Sequence, residues 1–353
     1  MNGERFLFYA AFIPGLQNCI ADAVKERLSD AKIHKLLDGA VIFETETGYD
    51  KLNFFCFNNI FAVIDLLEGT RIKSAKVHGG NILNEYINSA AERIGNTNII
   101  KNNSRNIKSF RIVVSNENVP AAIDENIRAQ AEKRIARLSG LKVNRSLPDT
   151  EFWFLYRSEG FFLFMKRLTL RHSWDKTLHK GELPPPLAWT LCRLARLKHG
   201  DTVLDPFCGY GSIPDAALKH FHLAKFVACD NSGEAAAFTV NRIKKRKTGK
   251  FYFYDSDFRE LPSFLGEKNI DAIVTDPPWG IYKEYAGSSF PEKMFDVFSE
   301  LLKDGGRAVV LYANDGNFIK AIPDCFMLED QMPILLSGKK AVIYSLKKKN
   351  EQK

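Results

Sequence analysis

Apolar and polar positions first divide the chain into two kinds of pattern. Phe6–Phe12 is a short apolar run ended by Pro14-Gly15, and Leu16–Leu28 has apolar residues at helical spacing. Gly39–Glu44 reads as a strand, and the aromatic, apolar run Lys51–Leu67 reads as a second helix, so the front of the chain is expected to be a small α+β unit. Gly79-Gly80 and the polar stretch Gly95–Lys108 punctuate the next part of the chain. Phe110–Ser115 is read as a strand and Pro120–Leu138 as an amphipathic helix stopped by Gly140. Glu151–Tyr156 and Gly160–Lys166, either side of a Ser158-Glu159-Gly160 turn, read as a β-hairpin.

After a charged stretch of little periodicity, Arg167–Glu182, comes Leu183-Pro184-Pro185-Pro186, which cannot be a helix interior or a central strand. Beyond it strands alternate with helices. Leu187–Leu197 is expected as a helix and Thr202–Asp205 as a strand, with a helix from Ser212. Phe226–Asp230, Phe251–Tyr254, Asp271–Asp276 and Arg307–Tyr312 read as further strands, with helices over Ser232–Lys245 and Pro291–Lys303. Two last strands fall near Cys325–Leu328 and Ala341–Leu346. Such β-α units imply a mostly parallel, doubly wound sheet with right-handed crossovers.

Composition narrows the class. The 353 residues are 45% hydrophobic and 26% charged, ordinary for a globular chain of two or three domains. No apolar run approaches the roughly 18 residues of a membrane span, and the N-terminus lacks the pattern of a signal peptide. The six cysteines form no Cys-x-x-Cys and are expected as buried thiols of a reducing cytosol, neither a zinc site nor a disulfide frame. The net charge of +8 is unevenly spread: residues 100–180 hold 16 Lys/Arg against 8 Asp/Glu, and the flanking parts nearly balance. A localised basic excess suits a polyanion, nucleic acid first, although a solvated basic surface is the plain alternative.

Four positions carry candidate chemistry, each after a successive strand of the second half. Asp205-Pro206-Phe207-Cys208-Gly209-Tyr210-Gly211-Ser212 leaves a strand and opens a helix, where ligands bind in this architecture. Asp230 ends the next strand, as a ribose acceptor or as part of a helix cap. Asp257 follows the third, as an acceptor for an adenine amine or as turn chemistry. Asp276-Pro277-Pro278-Trp279-Gly280 ends the fourth and is the most specific. Its prolines stiffen the backbone and remove two donors, which leaves carbonyls beside a carboxylate, a pocket suited to an exocyclic amine. Trp279 offers a face on which a splayed-out base can stack, or is a core residue.

Together these segments resemble class I S-adenosylmethionine-dependent methyltransferases that act on amino nitrogens, in the unpermuted motif order. Gly181-Glu182-Leu183-Pro184-Pro185 resembles the segment before the catalytic domain of THUMP-containing RNA guanine-N2 methyltransferases, and about Lys108 to Thr169 is similar to a THUMP domain. The front part resembles the ferredoxin-like domain that accompanies it. The resemblance implies an α/β chain with a ferredoxin-like domain over 1–70, a THUMP RNA-binding domain over 71–168, a linker over 169–186 and a Rossmann-like, seven-stranded methyltransferase domain over 187–353. It implies that Leu183, Asp205, Phe207, Gly209, Gly211, Asp230, Asn231, Asp257, Phe258 and Asp276 hold S-adenosylmethionine, and that Asp276, Pro277, Pro278 and Trp279 form the catalytic motif. It implies no metal. One departure stands out: Ala216 occupies the place of a Glu common in the family.

The reaction so implied is methylation of the N2 amine of a guanine in tRNA, with position 6 of the acceptor stem as the target. A ribosomal RNA substrate, or an RNA-binding protein with an inactive methyltransferase fold, are the alternatives. A carboxylate titrating near its ordinary value of about 4 makes Asp276 an orienting acceptor rather than a strong base. Arg128, Lys133, Arg134, Arg137, Lys142 and Arg145 are the candidate RNA-phosphate contacts. No membrane association is expected.

Overall fold

The computed structural model describes residues 4–49, 52, 54–68, 79–93, 99, 106–117, 119–169, 178–244, 250–279, 290–313, 316–336 and 338–351. Gly280 and part of the expected linker, 170–177, lie outside them. The chain divides into two compact units. One comprises Met1–Ala11, Ala21–Asn53 and Phe57–His172, the other Phe12–Ile20, Phe54–Cys56 and Ser173–Lys353. The first helix, α1, is Gln17–Arg27.

In the first unit the strands are β1 (Phe6–Ala11), β2 (Lys32–Leu37), β3 (Ala40–Thr45), β4 (Asn59–Glu68), β5 (Ser109–Asn116), β6 (Val119–Pro120), β7 (Lys142–Val143), β8 (Thr150–Arg157) and β9 (Phe161–Arg167). They form one sheet in the order β2-β3-β1-β4-β9-β8-β5-β6, with β7 beside β5. The helix expected over Lys51–Leu67 is therefore wrong. Its apolar run is β4, hydrogen-bonded to β1 on one side and β9 on the other. A strand paired on both edges and buried on both faces has no period-2 alternation to distinguish it from a buried helix.

Helices α2 (Gly79–Arg93) and α3 (Glu125–Ser139) contribute to the core that holds Ile87, Ile135, Phe110, Phe152 and Phe164. Each such fully buried large side chain contributes about 1.5–3 kcal/mol relative to its exposed state. α3 starts later than its sequence suggests because Val119–Pro120 pairs with β5. Asp124 then caps the helix, accepting from Asn126 N at 2.8 Å and Ile127 N at 3.3 Å. Gly140, at φ +72°, ends it. The β8–β9 hairpin forms as expected.

The second unit is the doubly wound part. Its strands are β10 (Thr202–Asp205), β11 (Lys225–Asp230), β12 (Phe251–Asp255), β13 (Ile270–Thr275), β14 (Leu302–Ala313), β15 (Phe326–Leu336) and β16 (Lys339–Lys348). The sheet order is β12-β11-β10-β13-β14-β16-β15. The first five strands are parallel, and β16 joins antiparallel to β14 and β15. This is the mostly parallel α/β sheet expected, and the two last strands are longer than expected and pair as a hairpin.

The connecting helices are α4 (Pro185–Leu194), α5 (Ser212–His220), α6 (Gly233–Lys244), the short α7 (Leu261–Leu265), α8 (Phe290–Leu301) and α9 (Asn317–Lys320). Pro185 and Pro186 do not precede a helix but begin one: in the first turn of α4 an amide has no partner to lose. One face of the sheet packs Leu204, Val227 and Ile273 against Phe295, Phe298 and Leu301 of α8. That packing fixes the heights at which the parallel strands end.

Candidate active site

Parallel pairing sets the site. β10 lies between β11 and β13, so Asp205, Asp230 and the Asp276 that follows β13 all emerge at the carboxyl ends of neighbouring strands. Asp205 is fully buried. Its Oδ1 accepts from Thr275 Oγ1 at 2.7 Å and from Phe207 N at 3.2 Å. Its Oδ2 is buried and has no hydrogen-bond partner among the described residues. Burial pushes this carboxyl up to about 8, the Asp230 and Asp276 charges adding to the effect against the Thr275 and Phe207 hydrogen bonds.

Asp276 stands where β13 ends. Trp279 Nε1 donates to its Oδ1 at 2.8 Å. Burial raises its carboxyl to about 7, against the pull of that indole bond. The expectation of a carboxylate titrating near 4 therefore fails: removal from water, invisible in the sequence, moves it into the range where it can exchange a proton at neutral pH. Pro277 is buried and Pro278 half-buried. The Trp279 ring packs against the core cluster, while its edge holds the carboxylate.

Asp230 Oδ2 accepts from Gly209 N at 2.7 Å and Oδ1 from Ser232 N at 2.9 Å. It thus pins the glycine loop and the approach to α6, and burial raises its carboxyl. Asn231 beside it is exposed. Asp257 caps the 3-10 turn Phe258–Glu260 and receives a forked Arg259 guanidinium, both bonds at 2.7 Å, which lowers its carboxyl. Any ligand amine there shares these oxygens with Arg259.

Phe207, Phe258 and Phe290 form an aromatic group with centroids 4.8 to 5.8 Å apart. Leu183 is buried, and its carbonyl accepts from Ser212 Oγ at 2.9 Å. Gly209 and Gly211 take positive φ of 49° and 80°. A Cβ on Gly211 would stand 2.8 Å from Thr239 Oγ1 and Cγ2, so only glycine fits.

Sequence reasoning missed Thr275, Thr239, Arg242 and Glu182 as site residues. Thr275 directly precedes Asp276, yet its hydroxyl serves Asp205, 70 positions away, a contact only strand register creates. Asp215 and Ala216 sit in the first turns of α5, Ala216 buried and Asp215 3.8 Å from Arg242 Nε.

In the first unit, Lys133, Arg137 and Lys142 are exposed. Arg145 is ion-paired with Glu132 at 2.8 Å and Glu125 at 2.7 Å, and Arg128 lies 3.5 Å from Glu125. Arg134 is half-buried.

The carboxyl ends of these strands bring together one fully buried carboxyl group, Asp205, with an oxygen that has no partner among the described residues, two half-buried ones, Asp230 and Asp276, and the aromatic group. This donor set fits a group bearing positive charge and a flat base, as S-adenosylmethionine does. Among the described residues no cluster of three or more His, Cys, Asp or Glu could hold a metal. No described helix is long and apolar enough to cross a membrane.

A family model described as "UPF0020: RMKL-like, methyltransferase domain" matches residues 172–331. The tRNA (guanine(10)-N2)-dimethyltransferase of Methanocaldococcus jannaschii is 30% identical over 252 residues, covering 65% of this chain and 69% of that relative. The tRNA (guanine(6)-N2)-methyltransferase of Thermus thermophilus is 25% identical over 250 residues, covering 68% and 72%. The crystal structure of TrmN from Thermus thermophilus superposes with a TM-score of 0.78 at 21% identity, covering 97% of this chain and 99% of that one.

Proposed function

Because the chain belongs to the S-adenosylmethionine-dependent RNA guanine-N2 methyltransferases, we propose that its substrate is tRNA and its target the N2 amine of guanine 6 in the acceptor stem. The observation that carries the chemistry is Asp276: a carboxylate at a strand mouth, locked by Trp279 and followed by two prolines that bring no competing N–H. Relatives named for guanine 6 and for guanine 10 both align over about two thirds of the chain, so the test is built to separate these two positions.

S-adenosylmethionine supplies a methyl group already activated on a sulfonium. The chain's task is then positioning and charge stabilisation. Trp279 Nε1 occupies one side of the Asp276 carboxylate, which leaves Oδ2 to accept a hydrogen of the guanine amine. The Pro277 carbonyl takes the second. Both contacts turn the nitrogen lone pair out of conjugation with the base. Positive charge then builds on that nitrogen, and ionised Asp276 stabilises it and receives the released proton, a role its carboxyl at about 7 suits. Asp205, Asp230 and Asp257, with Phe207 and Phe258, would hold the cofactor, and the region 71–168 would act as the RNA-binding part, gripping phosphates through Lys133, Arg137 and Lys142.

The test uses tRNA transcripts in which guanine 6 or guanine 10 is replaced by adenine. Loss of methyl acceptance only on replacing guanine 6 supports the reading. Loss only on replacing guanine 10 moves the target, and acceptance confined to ribosomal RNA overturns the substrate.

A further inference from the structure

The glycine loop between β10 and α5 is held by side chains of α6. Thr239, fully buried on α6, donates from Oγ1 to Gly209 O at 2.7 Å. Arg242, three residues on and so on the same helix face, donates from Nη1 to Tyr210 O at 3.0 Å. The same Nη1 reaches Glu182 Oε1 at 2.6 Å, and its two hydrogens allow both bonds at once. The Glu182 side chain is 4% exposed, and its Oε2 accepts from His179 N at 3.0 Å. Two consecutive loop carbonyls are thus tied to one helix, and that helix is tied to the segment leading into α4.

The restraint matters because of what the loop is made of. Gly209 and Gly211 lose more conformational freedom on ordering than any other residues would. A loop with two glycines in three positions needs external bonds to keep one arrangement of its peptide planes. We propose that Thr239 and Arg242, secured by Glu182, are positioning residues that preset the Gly209–Ser212 loop for S-adenosylmethionine. This deepens the reading of the site and rests on it. It also places an ion-paired carboxylate, Glu182, at the start of α5, where its Oε1 accepts from Ser212 Oγ at 3.3 Å.

The experiment is calorimetric titration of the whole chain with S-adenosylmethionine and with S-adenosylhomocysteine. The variants are Thr239→Val, Thr239→Ser, Arg242→Gln and Glu182→Gln. Thermal midpoints and the split of kcat from cofactor KM are measured alongside. Thr239→Val, which keeps the shape and removes the hydroxyl, is expected to weaken both ligands about three- to tenfold, the worth of one neutral hydrogen bond. Thr239→Ser restores affinity, Arg242→Gln weakens it as Thr239→Val does, and the loss falls on cofactor KM more than on kcat. If the wild-type chain binds and Thr239→Val and Arg242→Gln bind within twofold of it, whatever their thermal midpoints, the positioning role is refuted. If the wild-type chain binds neither ligand, the reading of the site falls first and this proposal with it.

Discussion

Replacing Asp205 by Asn tests whether its burial stores electrostatic strain. In the folded chain this carboxyl is fully buried and raised to about 8, against 3.8 ordinarily. A carboxyl raised on folding binds its proton more tightly in the native state. Its stabilising contribution is therefore complete below pH 4 and is lost as pH rises toward 8. Between those limits one bound proton corresponds to about 1.4 kcal/mol per pH unit. Asp276, raised to about 7, adds a second slope of the same sign that ends earlier. Asn cannot titrate, and its carbonyl can still accept from Thr275 Oγ1 and Phe207 N. The assay is urea unfolding of wild type and Asp205→Asn at pH 5, 6, 7 and 8. Wild-type stability should fall across this range, and the variant's profile should be shallower by up to about 1.4 kcal/mol per pH unit, so that the variant gains relative to wild type as pH rises. Parallel profiles would refute the reasoning, since they would mean that Asp205 is ionised throughout or reaches water.

Asp276→Ala should retain S-adenosylmethionine binding, measured calorimetrically, while methyl transfer falls by at least about a hundredfold; abolished cofactor binding in a folded variant would misassign the motif. Trp279→Phe keeps a ring but not the indole bond, and should lower kcat about tenfold. The wild-type kcat/KM profile should rise with pH through about 7, as Asp276 ionises. Gly211→Ala, facing Thr239 at 2.8 Å and held at φ +80°, should lower stability by about 1–3 kcal/mol in urea unfolding. Replacing Lys133, Arg137 and Lys142 together by Glu should weaken RNA binding and flatten its salt dependence; an unchanged slope would exclude them as phosphate contacts.

What the sequence made legible was the second unit's alternation. Thr202–Asp205 is a strand in the structure with the expected bounds, and Asp230, Asp257 and Asp276 lie at or just beyond the ends of successive strands. Buried parallel strands between helices leave long apolar runs at regular intervals, and their ends carry the chemistry. The first unit was less legible, because its elements have weak patterns. β2 pairs, among the described residues, with β3 alone, and its Lys32-Ile33-His34-Lys35 start hides its alternation. α2 begins on Gly79-Gly80, a pair that reads as punctuation. Within the site, the residue types were readable and their state was not. Glu182 meets Arg242 across 60 positions and Thr275 meets Asp205 across 70, and no local pattern announces such bonds. The raised carboxyls of Asp205 and Asp276 depend on exclusion of water, which belongs to the packed fold alone.

Methyl transfer to a guanine amine of tRNA is the reaction proposed for the second unit's carboxylates. The most direct measurement incubates the purified chain with methyl-labelled S-adenosylmethionine and either total tRNA or ribosomal RNA, then digests each RNA for nucleoside mass spectrometry. Labelled N2-methylguanosine in tRNA, absent with Asp276→Ala, is the expected product. Label in N6-methyladenosine, or label in ribosomal RNA alone, would contradict the proposed reaction.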